Sequence, residues 1–257
     1  MKMLNPKNMK RLLLIAGILV SVAAARSVWA QAKDQGVITY EVKMNLHRTL
    51  PAGNEQMKAM IPEYRTSKIQ VFFAGPTSIT KALIEEEEDQ DINATGGATT
   101  FRFSPPNIEI YFDQATQVVT TAQEFIGKQY LIEDTLKTDP WKFGAETKTI
   151  LGYECRQAYY TDETNPDRKR EITAWFTDQL RPNLGPERFL SLPGTVLAVD
   201  VNNGERVLVA RDIKFKELKK GDLKKPVTGN KITRKEFQAI MDEFRKQNGG
   251  RGMVIRN

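Results

Sequence analysis

Runs of β-forming residues, each stopped within about ten positions by a turn signal, follow one another along most of this chain, and such punctuation favours an antiparallel meander. GVITYEVKMNL (36–46) alternates, setting Ile38, Tyr40, Val42 and Met44 on one side and Val37, Thr39, Glu41 and Lys43 on the other. TSKIQVFFAG (66–75), SITKALIEE (78–86), TFRFS (100–104), NIEIYFD (107–113), QVVTTAQEF (117–125) and KQYLIED (128–134) continue the series. LGYECRQAYY (151–160), REITAWFTD (170–178), TVLAVDV (195–201) and ERVLVARDIKF (205–215) complete it. No alternation of strands with long helices points to a parallel sheet. The expected fold is therefore mainly β: a single antiparallel curved sheet, half-barrel or sandwich-like domain, with a short N-terminal helix and a C-terminal amphipathic helix.

The punctuation is specific in places. In Leu192-Pro193-Gly194 the proline fixes φ and the glycine accepts φ > 0, which predicts a type II turn. Asn202-Asn203-Gly204 predicts a hairpin turn. Asn54 opens a short helix in which Met57, Met60 and Ile61 are spaced to pack inward, and Pro62 ends it. Near the C-terminus Thr233 and Glu236 form a capping box. Phe237, Ile240, Met241 and Phe244 line one helix face, and Gly249 stops the helix. That face is expected to dock on the sheet.

The first thirty residues read as an export signal. Lys2, Lys7, Lys10 and Arg11 precede an uncharged apolar core from Leu12 to Ala25, and Val28-Trp29-Ala30 offers small residues to a signal peptidase. The apolar stretch is short for a bilayer span, and no second one follows. The expected organisation is a signal peptide over 1–30, a β-rich domain over 31–218, and a basic linker with the amphipathic helix over 219–257.

Export alters the charge argument. The formal charge is +6, but five of the 38 Lys and Arg residues lie in the signal, leaving 33 against 32 acidic residues. A near-neutral chain gives no footprint for nucleic acid. Residues 214–257 still hold thirteen basic and five acidic residues, which reads as a solvated basic end. Cys155 is the single cysteine, so no disulfide within the chain is available and no lipid anchor on a mature N-terminal cysteine is expected.

Candidate chemistry is sparse. His47, expected on the surface at the end of a strand beside Arg48, is the only histidine, so a His-dependent triad or a multi-histidine zinc site cannot be assembled within this chain. Cys155 alternates with Tyr153, Gln157 and Tyr159, and its nearest cation, Arg156, falls on the opposite face, the setting of an inert buried thiol. Asp89, Asp91 and Asn93 echo a calcium loop, but Ala94 stands where the loop needs glycine and Thr100 where it needs a bidentate glutamate. Asn93-Ala94-Thr95 is a formal glycosylation sequon. No phosphate loop, dinucleotide fingerprint or hydrolase elbow is present. No catalytic, cofactor or metal residue is therefore assigned.

The order of segments resembles one family. KQYLIEDTLKTDPWKFGAETKTILGYECRQA leads to AWFTDQL, a Gly-Pro and FLSLPGTVLAV. That succession resembles the GLPGLI family of exported proteins of Gram-negative bacteria, with MKAMIPEYRTSKIQVFF and KITRKEFQAIMDEF like its terminal elements. Ser191 stands for the first glycine of the name, and Thr195-Val196 for its closing Leu-Ile. The resemblance implies export, a β-rich fold and a structural motif carried here by Leu192, Pro193, Gly194, Trp141, Gly152, Tyr153, Cys155 and Trp175. It implies no reaction and no cofactor. The chain is also similar to the bowl-like N-terminal domain of a type II peptide:N-glycosidase.

The combined expectation is a non-enzymatic protein of the cell envelope, periplasmic or outer-membrane-associated, that binds a ligand or partner and does not span the membrane. The alternatives are a periplasmic carrier of an apolar molecule in a sheet-lined cavity and a carboxylate-dependent hydrolase. Cleavage after Ala30, with Ala32 as the alternative, should give a mature protein beginning at Gln31; terminal sequencing of the envelope fraction checks this, and a protein beginning at Met1 refutes it.

Overall fold

In the computed structural model, which describes residues 34–50, 53, 55–84, 107–164 and 169–247, the alternating runs pair into one open sheet of twelve strands. In chain order they are β1 (Gln35–Asn45), β2 (Tyr64–Ala74), β3 (Thr77–Leu83), β4 (Ile108–Asp113), β5 (Val118–Phe125) and β6 (Lys128–Thr135). Then come β7 (Lys142–Ile150), β8 (Tyr153–Asp162), β9 (Arg170–Thr177), β10 (Thr195–Val201), β11 (Arg206–Phe215) and β12 (Asn230–Ile232). Helices α1 (Leu46–Thr49), α2 (Glu55–Met60) and α3 (Arg234–Gln247) accompany them. Across the sheet the order is β12-β6-β5-β4-β3-β2-β1-β11-β10-β9-β8-β7. Two meanders thus join where β1 pairs with β11, and only β12, beside β6, runs parallel to its neighbour.

Connection length forces this sheet to curl. Strands β6 and β7 are ten steps apart in the order, and at about 4.8 Å per step a flat sheet would separate them by about 48 Å. Residues 136–141 join them, and a chain that short reaches about 25 Å when fully extended. The sheet therefore bends until its halves approach. The β9–β10 connection ties them: Arg181 donates to the carbonyls of Gly75 and Thr77 in the β2–β3 turn, and Gln114 donates to Asn183 Oδ1 at 3.2 Å.

Cross-strand pairs lie on one face of a sheet, so register shows what covers each side. Val42, Leu208, Val199, Ala174 and Ala158 form one row across β1, β11, β10, β9 and β8. Phe189 and Leu192 of the β9–β10 connection pack in the same cluster. Following Ile38 through Val71, Thr80, Ile110 and Thr121 to Ile132 places the β6 core residues on that same face. There α3 docks, with Phe237 against Phe125, Tyr130 and Ile132. Its capping box is present: the Thr233 amide donates to Glu236 Oε2 at 2.7 Å, and the Glu236 amide donates to Thr233 Oγ1 at 3.2 Å. On the opposite face Lys225 pairs with Glu133 at 2.7 Å. The segment between β11 and β12 reaches one face, and α3 lies on the other.

Turn chemistry explains which strands the sequence displays. Asn202, Asn203 and Gly204 have φ of 53°, 49° and 91°, as their hairpin requires. Ile126-Gly127 and Leu151-Gly152 are two-residue hairpin loops with positive φ at both positions. Leu151 occupies a position at which asparagine would announce a turn, and the strand before it is exposed along almost all its length. Neither signal marks β7, so the sequence reading passes over it, as it does the three-residue β12.

Three expectations need correction. Gly194 does not adopt positive φ. Its need for glycine is steric: a Cβ there would run into the Thr177 carbonyl and lie 2.9 Å from Phe176 Cδ2. Met57 and Met60 do not pack inward; they are 45% and 49% exposed on α2, which buries no residue. One turn of helix whose neighbours do not close over it offers its side chains nothing to bury against. His47 lies in α1 rather than at the end of a strand, and its Nε2 is 3.0 Å from the Ile61 carbonyl oxygen. The expected strand over 100–104 and Gly249 fall outside the described residues.

Gly194→Ala should destabilise the protein by about 1–3 kcal/mol through forced overlap, whereas Pro193→Ala should lose about 0.4–1 kcal/mol because Pro193 chiefly restricts the unfolded chain. Urea unfolding of both variants measures the difference, and equal losses would remove the steric account.

Candidate functional site

Strand β8 carries Ala158, Tyr160 and Asp162 toward the face covered by the β9–β10 connection. The first two are apolar or aromatic, as the alternation demands. Asp162 keeps their phase but is a carboxylate, 3% exposed. A buried carboxylate requires compensation, and register supplies part of it: Asp162 pairs across the ladder with Arg170. Arg170 Nη2 lies 2.7 Å from Asp162 Oδ2, and Arg188 Nη2, arriving from the β9–β10 connection, lies 2.8 Å from the same oxygen. The Thr164 hydroxyl and amide donate to Oδ1 at 2.6 and 3.0 Å. Burial by itself would raise the pKa of Asp162, but the Thr164 donors and the Arg188 guanidinium outweigh it, and the carboxyl titrates well below its usual range.

Beside this cluster runs the β6–β7 connection. Ser191 joins it to the Leu-Pro-Gly corner: its hydroxyl donates to Asp139 Oδ2 at 3.0 Å and accepts from Trp141 Nε1 at 2.9 Å. A glycine at position 191 would have no side chain to make this join. The Trp141 ring meets Tyr160 edge-on, with centroids 4.5 Å apart. The Tyr160 hydroxyl is buried and makes no hydrogen bond among the described residues. Burial pushes its pKa far up, and the Asp139 carboxylate disfavours the phenolate further, while Arg188 opposes both. Asp139 is thus near enough to act on the phenol electrostatically without closing a hydrogen bond of ordinary geometry. Asp139, Pro140, Tyr160, Thr161, Asp162, Glu163 and Thr164 line an open concavity of about 370 Å³.

The residues singled out by sequence divide into two groups. Trp141 and the corner come together through Ser191, with Leu192 buried, Pro193 exposed and Gly194 packed against β9. Gly152, Tyr153, Cys155 and Trp175 belong to β7–β9: Gly152 forms a turn, Tyr153 is partly buried, and Lys148 sits 4.0 Å over the Trp175 ring. Cys155 lies with Trp175 in a second core cluster that also holds Ile38, Tyr40, Leu184 and Leu197. Burial pushes the Cys155 thiol up to about 11, the opposite of a nucleophile's requirement. Thr195 Oγ1 in the corner is committed to the Arg181 carbonyl at 2.7 Å.

Sequence reasoning missed Asp139, Tyr160, Asp162 and Arg188. One signal was present: Asp162 and Arg170 are charged residues in phase with buried positions at facing strand ends. Asp139 and Arg188 arrive on irregular connections and leave no periodic trace. Among the described residues no group of three His, Cys, Asp or Glu side chains is placed to hold a metal. The calcium-loop echo and the sequon lie outside the described residues.

No family model matches the sequence, and neither does any curated protein. The fold is similar to two solved structures of PNGF-II. In space group P21 the TM-score is 0.54 at 16% identity, covering 82% of this chain and 34% of that one. In space group C2 the values are 0.53, 17%, 82% and 33%. The chain therefore spans about a third of the length of the structures it matches.

Because the native pKa of Asp162 lies below the unfolded value of about 3.9, its contribution is complete above that pH and is lost as the pH falls through and below it. Asp162→Asn should remove about 1–3 kcal/mol at pH 6, with partial exposure of both arginines moderating the loss. It should also flatten the decline below pH 4. Urea midpoints at pH 6 and pH 3 for both proteins test this; an equal acid slope in the variant would contradict it.

Proposed function

We propose that this is an exported cell-envelope protein, GLPGLI-like in organisation, that binds a ligand or partner at the Asp139–Tyr160 concavity and performs no chemistry on it. The observation that carries the reading is the contrast within that site. Asp162 is consumed by two guanidiniums and Thr164, while Asp139 carries no ion partner among the described residues and the phenol of Tyr160, buried beside it, is held protonated by burial. A locked carboxylate and a neutral phenol suit recognition better than proton transfer, which needs a group titrating near the working pH. Export rests on the basic and apolar pattern of the first thirty residues.

The similarity to PNGF-II, a peptide:N-glycosidase, supports the β-rich fold on which this reading rests. The activity in that name belongs to a longer chain, and no catalytic residue is carried over. Among the described residues no helix is long and apolar enough to cross a membrane.

Fractionation should place the protein in the periplasm or with the outer membrane, and the purified protein should leave glycans and peptides uncleaved. Turnover abolished by one point substitution, or retention of the protein in the cytoplasm, would overturn the proposal.

A further inference from the structure

We propose that the segment between β11 and β12 is a docking surface for an anionic lipid bilayer, with Lys219, Lys220 and Lys224 as its principal contacts. The inference goes beyond the reading above and makes no use of the concavity.

Charge is sorted along the chain. Residues 214–257 hold thirteen basic and five acidic residues, and residues 31–213 hold twenty against twenty-seven. Such asymmetry turns the basic end of the molecule toward a negative surface. The fold decides how that end presents its charge. Residues 216–229 leave β11 and reach the face of the sheet opposite α3, where Lys225 meets Glu133 at 2.7 Å.

Two linked reverse turns gather the cations. The Asp222 amide donates to the Lys219 carbonyl at 3.0 Å, and the Lys224 amide donates to the Gly221 carbonyl at 3.1 Å. Gly221, with φ of 107°, lets the chain reverse between them. Lys219, Lys220 and Lys224 are all exposed on this corner. The carboxylate of the turn is spent on holding it: half-buried Asp222 accepts from the Lys219 amide through Oδ2 at 2.9 Å. None of the three lysines forms an ion pair among the described residues, whereas nearby Lys214 and Lys225 are held by Asp212 and Glu133.

Free lysines on a turn attract any polyanion, and Val227 selects the bilayer. It is 68% exposed, three residues beyond Lys224. A polyanion in solution would leave that side chain in water. A bilayer interface takes up apolar side chains beside cations that meet the headgroup phosphates.

The test sediments the purified protein with vesicles of equal parts phosphatidylglycerol and phosphatidylethanolamine, and with vesicles of phosphatidylcholine alone. Binding to soluble polyphosphate is measured beside them. The anionic vesicles should bind the protein at least about tenfold more tightly than the neutral ones, and binding should fall as salt rises from about 0.05 M to about 0.5 M. A lysine near a charged surface is worth about fivefold in affinity. Replacing all three (Lys219→Gln, Lys220→Gln, Lys224→Gln) should therefore weaken vesicle binding about a hundredfold, with the melting temperature unchanged. Lys128→Gln, Lys137→Gln and Lys142→Gln together remove the same charge from exposed positions elsewhere and should weaken it by less than about threefold. Val227→Asn should weaken vesicle binding by about threefold or more and leave polyphosphate binding as it was. Equal binding to the two kinds of vesicle, equal losses in the two triple variants, or an unchanged Val227→Asn protein would overturn the assignment. Binding of polyphosphate without binding of anionic vesicles would overturn it in favour of a soluble polyanion. Fractionation decides export separately, because the vesicle assay does not depend on the compartment.

Discussion

Six residues between β6 and β7 have to join strands that lie ten places apart in a twelve-strand order. The chain cannot stretch far enough to do this across a flat sheet. Curling the sheet resolves the conflict and brings in what the rest of the structure uses. The β9–β10 connection then lies on the face that carries the Val42–Ala158 row, with Phe189 and Leu192 in the core. From there it reaches the β2–β3 turn through Arg181 and the β4–β5 turn through Asn183. The short connection itself reaches Ser191 through Asp139 and Trp141. Core packing and the candidate site are thus two results of one topological constraint.

The site shows how buried charge is managed in a fold without disulfides. Asp162 takes up four donors from three separate segments, β9, the β9–β10 connection and Thr164 two residues past β8. Such a cluster adds little net stability compared with apolar packing of the same volume, but removing one member leaves an uncompensated charge. Its value lies in location. It pins Arg188, and with it the connection carrying the Leu-Pro-Gly corner, over β8. Arg206 on β11 does the same for Glu187, with Nη1 at 2.8 Å from Oε2. Those two ion pairs set the height of the connection over the sheet and shape the concavity beside it.

The similarity to PNGF-II structures concerns the fold, at identities of 16% and 17%. The curled sheet tolerates such divergence because its demands are general: alternation, tight turns and one short crossing. Its side chains are not interchangeable in the same way. Ser191 links Asp139 to Trp141 here, and the concavity beside Tyr160 depends on that link as well as on the sheet.

Much of the fold is legible in the residues. Alternation marks β1, β8 and β11; Asn202-Asn203-Gly204 marks a hairpin; Thr233 and Glu236 mark the start of α3. These features are local, and the period of two or of 3.6 reports them whatever the chain does elsewhere. Exposed β7 has no buried face to impose alternation, and Leu151 hides its turn. The methionines of α2 are spaced for packing, but spacing does not supply a surface to pack against. Beside Pro193, Gly194 reads as a glycine needed for its φ, while its actual demand comes from the Thr177 carbonyl of a neighbouring strand. The site shows the same division. The phase of Asp162 and Arg170 was written in the sequence, because strand register follows from the pattern. The meeting of Asp139, Ser191, Tyr160 and Arg188 was decided by tertiary structure, because contacts between irregular segments far apart in the chain depend on how the sheet curls, and periodicity carries no record of that.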